Sequence, residues 1–276
     1  MNAGTEFNIG LAHELLGEAL ADKEVLVWRD RRLTYGQLAD RSRRLATYLH
    51  RAGLGAHTER SELANHESGQ DHVALYLHNG TEYVEGMLGA FKSRCASINV
   101  NYRYVDEELR YLFGNADAKA VIYHATFAPR LAAIRDALPN LAVLLQVDDG
   151  SGNELLPGAV DYEEALASVP ADLPDVGHSP DDLFILYTGG TTGMPKGVLW
   201  RQHDIFMSAM GGQVPGVWDP ISTCDGLVER AGLDDAPGHH DDERLPASCI
   251  DVVAGPAGPR EAAVALRDIT CPVAPE

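Results

Sequence analysis

The residues best suited to chemistry in this chain lie in one stretch rich in glycine and threonine, which runs from Leu186 to Val198. Its glycines carry no side chains, so backbone N–H groups can close around anionic oxygens. Its threonines add hydroxyl donors, and Lys196 adds a mobile positive charge. We therefore predict a loop that holds the phosphates of ATP, with Lys196 as its catalytic residue. The predicted phosphate-binding residues are Thr188, Gly189, Gly190, Thr191, Thr192, Gly193 and Lys196.

A short apolar run comes just before this loop. Residues 181–187 are rich in β-forming side chains and end in a glycine turn, which predicts a buried strand. A strand, then a glycine loop, then a polar segment is a frequent setting for phosphate capture. The Walker A pattern does not fit, because Met194 and Pro195 separate Gly193 from Lys196, and Gly197 follows the lysine.

The composition limits the class of protein. The 276 residues, 45% hydrophobic and 23% charged, suffice for one large domain or two ordinary ones. A net charge of −19 argues against a protein that wraps nucleic acid or lies on an anionic membrane. The first residues show no signal-peptide pattern. No run approaches the ~18 apolar residues of a membrane span.

The cysteines favour a reduced, cytoplasmic protein. Cys95, Cys224, Cys249 and Cys271 form no C-x-x-C pair and have no histidine spacing of the zinc type. The His-His-Asp-Asp run at residues 239–242 is interpreted as a solvated loop rather than a metal site. We therefore predict no metal-ligating residues, and the oligomeric state is left open.

Hydrophobic periodicity predicts helices that alternate with strands. The predicted helices cover residues 9–20, 34–53, 83–91, 105–114 and 128–138. The predicted strands lie within residues 25–28, 32–35, 72–77, 97–104, 120–123, 141–147 and 181–187, the first two as a hairpin. The polar residues 57–70 read as a surface insertion. This alternation indicates an α/β fold with a mostly parallel sheet flanked by helices.

The glycine stretch resembles the signature loop of the adenylate-forming (AMP-binding) superfamily, which includes acyl-CoA synthetases, luciferases and peptide-synthetase adenylation domains. That loop has the form T-[SG]-G-T-T-G-x-P-K-G, and every fixed position is present from Thr188 to Gly197. Residues 99–105, 108–112 and 196–201 are similar to actinobacterial-type acyl-CoA synthetases that act on fatty and steroid acids. The resemblance is continuous from residue 9 to about residue 212.

The resemblance implies a fold, an activity and a set of small-molecule partners. Residues 1–212 would form the N-terminal α/β part of the large AMP-binding domain. The family activity is that of an ATP-dependent acid–CoA ligase, with ATP, magnesium and coenzyme A as co-substrates and a carboxylic acid as substrate. Gly189 stands where many relatives have serine, and Gln202 stands where many have histidine. His203, one place later, is interpreted as a helix-start residue.

The pattern stops after residue 212. Residues 213–276 hold eight of the fifteen prolines and no lysine, and this composition predicts poor order, with a short helix only at residues 261–267 and a weak strand candidate at residues 250–253. The family's later Tyr-Gly-x-Thr-Glu and Thr-Gly-Asp motifs and its small C-terminal domain do not occur. We expect an interrupted reading frame or gene, and little turnover. The alternatives are an inactive truncated remnant that at most binds nucleotide, or a non-enzymatic interaction module.

Overall fold

The computed structural model of the chain describes residues 6–188, 194–213 and 219–232. Its helices are α1 Ile9–Ala19, α2 Tyr35–Arg51, α3 Thr81–Lys92, α4 Asp106–Asn115, α5 Ala128–Ile134, α6 Tyr162–Ala167, α7 Gln202–Ala209 and α8 Cys224–Gly232. Its strands are β1 Glu24–Trp28, β2 Arg31–Thr34, β3 His72–Tyr76, β4 Ala96–Asn99, β5 Ala118–His124, β6 Val143–Val147, β7 Val160–Asp161, β8 Leu183–Thr188 and β9 Lys196–Arg201. The chain divides into two compact units, residues 40–201 and residues 1–39 with 202–276.

The unit of residues 40–201 is built on a seven-stranded sheet with the order β7-β6-β5-β3-β4-β8-β9. Every neighbouring pair is parallel except β8 and β9, which are antiparallel. This confirms the predicted α/β class with a mostly parallel sheet. Parallel strands need crossover connections, and the helices that supply them cover the sheet.

Helices cover both faces of this sheet. On one face a continuous buried cluster joins side chains of α4 and α5 to β3, β4, β5 and β8, and it includes Leu112, Phe113 and Leu131. On the other face α3 lies so close to β3 and β5 that a Cβ at Gly86 would come within 2.8 Å of Leu75. The strands at the centre are therefore buried on both sides, which explains their continuous apolar runs.

The unit of residues 1–39 with 202–276 holds the hairpin β1–β2 and helices α1, α7 and α8. Asn8 caps α1, because its side chain accepts a hydrogen bond from the Leu11 N–H at 3.1 Å. The predicted cap of α2 is confirmed: Thr34 and Gln37 exchange side-chain to backbone hydrogen bonds of 2.9 and 3.3 Å. The Phe7 ring packs on an aromatic ring of α7, with centroids 5.3 Å apart.

The structure corrects several predicted elements. The helix predicted over residues 128–138 ends at Ile134, and a short 3₁₀ turn follows over Arg135–Ala137. Leu138 leaves the helical region because a proline follows it, and the residue before proline avoids helical backbone. Strand β7 and helix α6, of two and six residues, were not predicted because each is too short to show a periodic pattern. Helix α8 was not predicted because the proline-rich composition of residues 213–276 indicated poor order. Residues 239–242, 250–253 and 261–267 lie outside the described residues. The domain boundary at residue 212 stays a prediction.

Candidate functional site

The predicted phosphate loop connects β8 to β9. Thr188 is the last residue of β8, Lys196 is the first of β9, and the two are cross-strand partners in the antiparallel ladder. Residues 189–193, which carry the predicted Gly189, Gly190, Thr191, Thr192 and Gly193, lie outside the described residues. The structure therefore brings together the two ends of the predicted site. Directly opposed residues of an antiparallel pair have Cβ atoms only about 5 Å apart.

Lys196 is part of a strand, which corrects one prediction. A polar segment was expected after the loop, but residues 196–201 form β9, and alternate residues of this strand are exposed. Exposed and half-buried residues alternate along β9 because every second side chain of a strand points to the same face. Thr188 and Lys196 are both exposed. Leu183, Ile185 and Tyr187, the alternate residues of β8, belong to the buried cluster on the other face.

Lys196 and Arg201, the two basic residues of β9, differ in their ion pairs within the described part of the chain. There the Lys196 ammonium makes no ion pair, whereas Arg201 at the far end of β9 is paired with Asp181. An exposed lysine at the end of a hairpin is a mobile point charge that can follow phosphate oxygens. The Thr188 hydroxyl beside it adds a donor on the same face. This pair of side chains suits the terminal phosphates of a nucleotide.

A polar cavity of about 520 Å³ lies on the opposite face of the hairpin, where Tyr187 and Gly197 form part of its wall. The sequence analysis did not anticipate it. Asp71 and Asp117 line it with one lysine, Lys119, which is already paired to Asp117 at 2.8 Å. The hydrogen bond from Lys119 lowers the pKa of Asp117, so this carboxylate is ionised at neutral pH. Three histidines, His57, His66 and His72, line the cavity as well, and His57 is hydrogen-bonded to Asp71 at 2.6 Å.

Gln202, at the position where many relatives have histidine, and His203 beside it both have structural roles. His203 is the second residue of α7, which confirms it as a helix-start residue, and its Nδ1 accepts a hydrogen bond from the Phe7 N–H at 3.0 Å. The Gln202 side chain is fully buried, and its Oε1 accepts from the Ile9 N–H at 2.9 Å. Both side chains hold the start of α1. They supply no evidence of a catalytic base at these positions.

The described residues offer neither a metal cluster nor a membrane-spanning helix. Among residues 6–188, 194–213 and 219–232, no group of three or more histidine, cysteine or acidic side chains has the geometry of a metal site. None of the helices in this described part has both the length and the apolar character needed to cross a bilayer. The His-His-Asp-Asp run at residues 239–242 lies beyond these ranges.

Comparison with known proteins identifies the family. The model of the family described as AMP-binding enzyme matches residues 17–225, which is most of the chain. This protein belongs to the AMP-binding enzyme family. The predicted membership of the adenylate-forming superfamily is confirmed, and the match reaches slightly past the residue at which the sequence resemblance was expected to end.

Individual relatives agree with this assignment. The chain is 57% identical over 227 residues to the medium-chain acyl-CoA ligase Mig of Mycobacterium avium, covering 82% of this chain and 41% of that protein. It is 40% identical over 200 residues to a medium/long-chain-fatty-acid–CoA/3-oxocholest-4-en-26-oate–CoA ligase of Mycobacterium marinum, covering 71% and 34%. The chain therefore spans well under half the length of these curated relatives.

Solved structures confirm the fold. The crystal structure of the anthranilate CoA ligase AuaEII in complex with anthranoyl-AMP matches with a TM-score of 0.64 and 21% sequence identity. The match covers 78% of this chain and 39% of that one. At this identity the likeness concerns the fold alone. The α/β unit around β3–β9 is thus an arrangement that adenylate-forming enzymes share.

Proposed function

We propose that this chain carries the ATP phosphate-binding part of an AMP-forming acid–CoA ligase. The observation that carries the proposal is the pairing of Thr188 with Lys196 at the mouth of the β8–β9 hairpin, in a member of the AMP-binding enzyme family. Thr188, Thr191 and Thr192 would donate hydroxyl hydrogen bonds to the β- and γ-phosphates. Gly189, Gly190 and Gly193 would offer backbone N–H groups, and Lys196 would neutralise charge.

The proposed reaction has two halves. A carboxylate oxygen of the acid attacks the α-phosphorus of ATP, and pyrophosphate leaves with its electrons, giving an acyl-adenylate. The sulfur of coenzyme A then attacks the acyl carbon, AMP leaves, and the thiol proton is released. The residues of the hairpin act in the first half, where catalysis depends mostly on positioning and charge neutralisation. The names of the relatives support a fatty acid or steroid side-chain acid as substrate.

Magnesium would reach this reaction with ATP. Among the described residues no group of three or more histidine, cysteine or acidic side chains could hold a metal ion, so none of them is assigned to magnesium. The proposed location is the cytoplasm. It is supported by the unpaired state of Cys95 and Cys224, the two cysteines in the described part of the chain.

The experiment is a titration of the purified chain with ATP and magnesium by calorimetry. Lys196→Ala should weaken ATP binding about 10- to 100-fold, because a charged hydrogen-bond donor is lost. The matched control is Lys119→Ala, which removes a lysine that is already paired with Asp117. Equal affinities in the wild type and Lys196→Ala would contradict the assignment, whereas loss in both variants would point to a general effect on folding.

Activity separates the proposed ligase from its alternatives. The chain is incubated with ATP, magnesium, coenzyme A and a panel of fatty and steroid acids, and AMP is measured. AMP formation that depends on the acid supports the ligase. ATP binding without AMP formation favours an inactive remnant, and the absence of both favours an interaction module.

A further inference from the structure

The ladder between β4 and β8 is short, and a side chain extends it. Within the described residues this ladder has one cross-strand pair, Ile98 with Ile185, and β4 ends at Asn99. Beyond that point the Asn99 side chain makes both hydrogen bonds that a neighbouring strand would make. Its Nδ2 donates to the Tyr187 carbonyl at 3.1 Å, and its Oδ1 accepts from the Tyr187 N–H at 2.8 Å. The reversed amide orientation would place like groups together, so the two bonds support one another.

The side chain of Tyr187 is held as well. Its hydroxyl donates a hydrogen bond of 2.8 Å to Asn115 Oδ1. Burial raises the pKa of Tyr187 to about 12, so the phenol keeps the proton that it donates. The ring lies against Gly197 on β9, where a Cβ would come within 3.0 Å of two ring atoms. A Cβ at this position would require the ring to move by a few tenths of an ångström, so glycine allows the close contact, and Gly197 directly follows Lys196 in the chain.

One residue thus touches both arms of the hairpin. The Tyr187 backbone precedes Thr188, and its ring packs on the residue after Lys196. From these contacts we propose that Asn99 and Tyr187 are positioning residues for ATP binding, and that they hold Thr188 and Lys196 side by side before the nucleotide arrives. The inference rests on the proposed function of Lys196.

The physical reason is preorganisation. A binding group that is already ordered loses less conformational entropy when its ligand arrives, so affinity rises without any new contact. The side-chain hydrogen bonds of Asn99 and Tyr187 go to the Tyr187 backbone and to Asn115. These two residues act on the backbone that carries the side chains of Thr188 and Lys196. Their loss should therefore weaken ATP binding even though every predicted phosphate contact is still encoded.

The test compares Asn99→Ala with Asn140→Ala in the full chain. Asn140 also makes a side-chain hydrogen bond, to Asp117 at 2.7 Å, and this bond involves no residue of β8 or β9. ATP affinity is measured by calorimetry, the melting temperature by calorimetric scan, and tryptic cleavage after Lys196 by mass spectrometry. We expect Asn99→Ala to bind ATP about tenfold more weakly and to be cut faster after Lys196. The control, Asn140→Ala, should match the wild type in ATP affinity and in the rate of cleavage after Lys196.

A purely structural role gives a different result. If Asn99→Ala lowers the melting temperature but keeps the ATP affinity and the cleavage rate of the control, the proposal is wrong. Should Asn99→Ala fail to fold, Tyr187→Phe decides instead, since it removes only the hydroxyl that reaches Asn115. We expect about threefold weaker ATP binding and faster cleavage for Tyr187→Phe. If Tyr187→Phe kept the wild-type ATP affinity and the wild-type cleavage rate, the proposal would be overturned.

The cleavage rate also separates this inference from the proposed function. If the wild-type chain binds no ATP, the proposed function fails, and the rate of cleavage after Lys196 alone tests the positioning residues. A faster rate in Asn99→Ala than in Asn140→Ala then supports their role in holding the hairpin. Equal rates overturn it.

Discussion

The central strands β3 and β5 and the edge strand β9 differ in how deeply they are buried and in what packs against them. All of β3 except its first residue is buried, and all of β5 except Lys119 is buried. Strand β9 alternates between exposed and half-buried residues and carries Val198 and Trp200 among its exposed side chains. Helices pack on both faces of the centre, whereas β9 pairs with β8 alone among the strands of the described residues. Thr188 and Lys196, the two groups proposed to bind ATP that the structure describes, lie at this edge and not at the centre.

Because of this difference, we expect the central strands to determine stability and the edge strand to offer side chains to a ligand. Close packing at the centre makes each methylene count toward the free energy of folding. An exposed strand at the edge contributes less to that free energy, and its side chains are available to a ligand. A substitution at the centre should therefore change stability, and a substitution at the edge should change binding.

The largest expected effect is the loss of a side chain at the centre. Ile122 in β5 is 0% exposed, whereas Trp200 in β9 is 38% exposed. We expect Ile122→Ala to lower the free energy of unfolding by about 3 kcal/mol, because it leaves a cavity. Trp200→Ala removes more atoms, yet we expect a loss of about 1 kcal/mol or less. Urea denaturation followed by circular dichroism measures both. If Ile122→Ala and Trp200→Ala lost similar free energies of unfolding, β9 would be covered, and the contrast between the centre and the edge of the sheet would be wrong.

Two helical glycines test the packing above the sheet. A Cβ at Gly89 in α3 would lie 2.5–2.8 Å from three atoms of Leu45, including its Cβ, which cannot rotate away. We expect Gly89→Ala to destabilise by about 1–3 kcal/mol through overpacking. Gly114 in α4 has nothing within 4 Å of such a Cβ. Gly114→Ala should stabilise by about 0.5 kcal/mol, because alanine favours the helix. Thermal unfolding of both variants checks the opposite signs, and a stable Gly89→Ala would mean that α2 and α3 are not closely packed.

A smaller effect concerns pH. Burial lowers the pKa of His72, at the start of β3, below its ordinary value of about 6.5. As the pH falls below that value, the unfolded chain takes up a proton that the folded chain refuses, so the free energy of unfolding falls. The contribution is fully present above this pH. The same sign holds for His124, whose pKa burial also lowers.

The measurement is urea denaturation at pH 7.5 and pH 5.5. The wild type should be less stable at pH 5.5, and His72→Asn should show a smaller difference between the two pH values. An equal difference in the variant would mean that His72 titrates alike in the folded and unfolded chains. The start of β3, where His72 is half-buried, would then be more open to water than the lowered pKa indicates.

The elements with strong local signals were predicted well. Helix α1, the β1–β2 hairpin, helix α2 with its Thr34 cap, and strands β3 and β6 were all expected near their observed positions. Each has a clear periodicity or a capping residue, so a short window contains the needed information. Strand β7, helices α6 and α8, and the strand character of residues 196–201 were missed. Short elements depend on partners that are distant in the sequence.

The candidate site shows the same division. Lys196 and Thr188 were predicted from their motif, and the structure places them opposite one another, but their roles in binding stay a prediction. The contacts of Asn99 with Tyr187 were not predicted, because the two residues are 88 positions apart. An asparagine at the end of a strand is too common a pattern to single out. Only the pairing of β4 with β8 gives this asparagine a partner.

By itself the sequence determined the family, the α/β class and the residue types that suit a phosphate, since each of these depends on local composition and spacing. Tertiary structure decided which face of the hairpin carries Thr188 and Lys196, which polar groups lie on the opposite face, and what holds Tyr187. The physical reason is that the pleat and the pairing of strands, set by packing across the whole sheet, fix the direction of every side chain. The motif identifies which chemical groups are present, and the sheet determines the direction in which each side chain points.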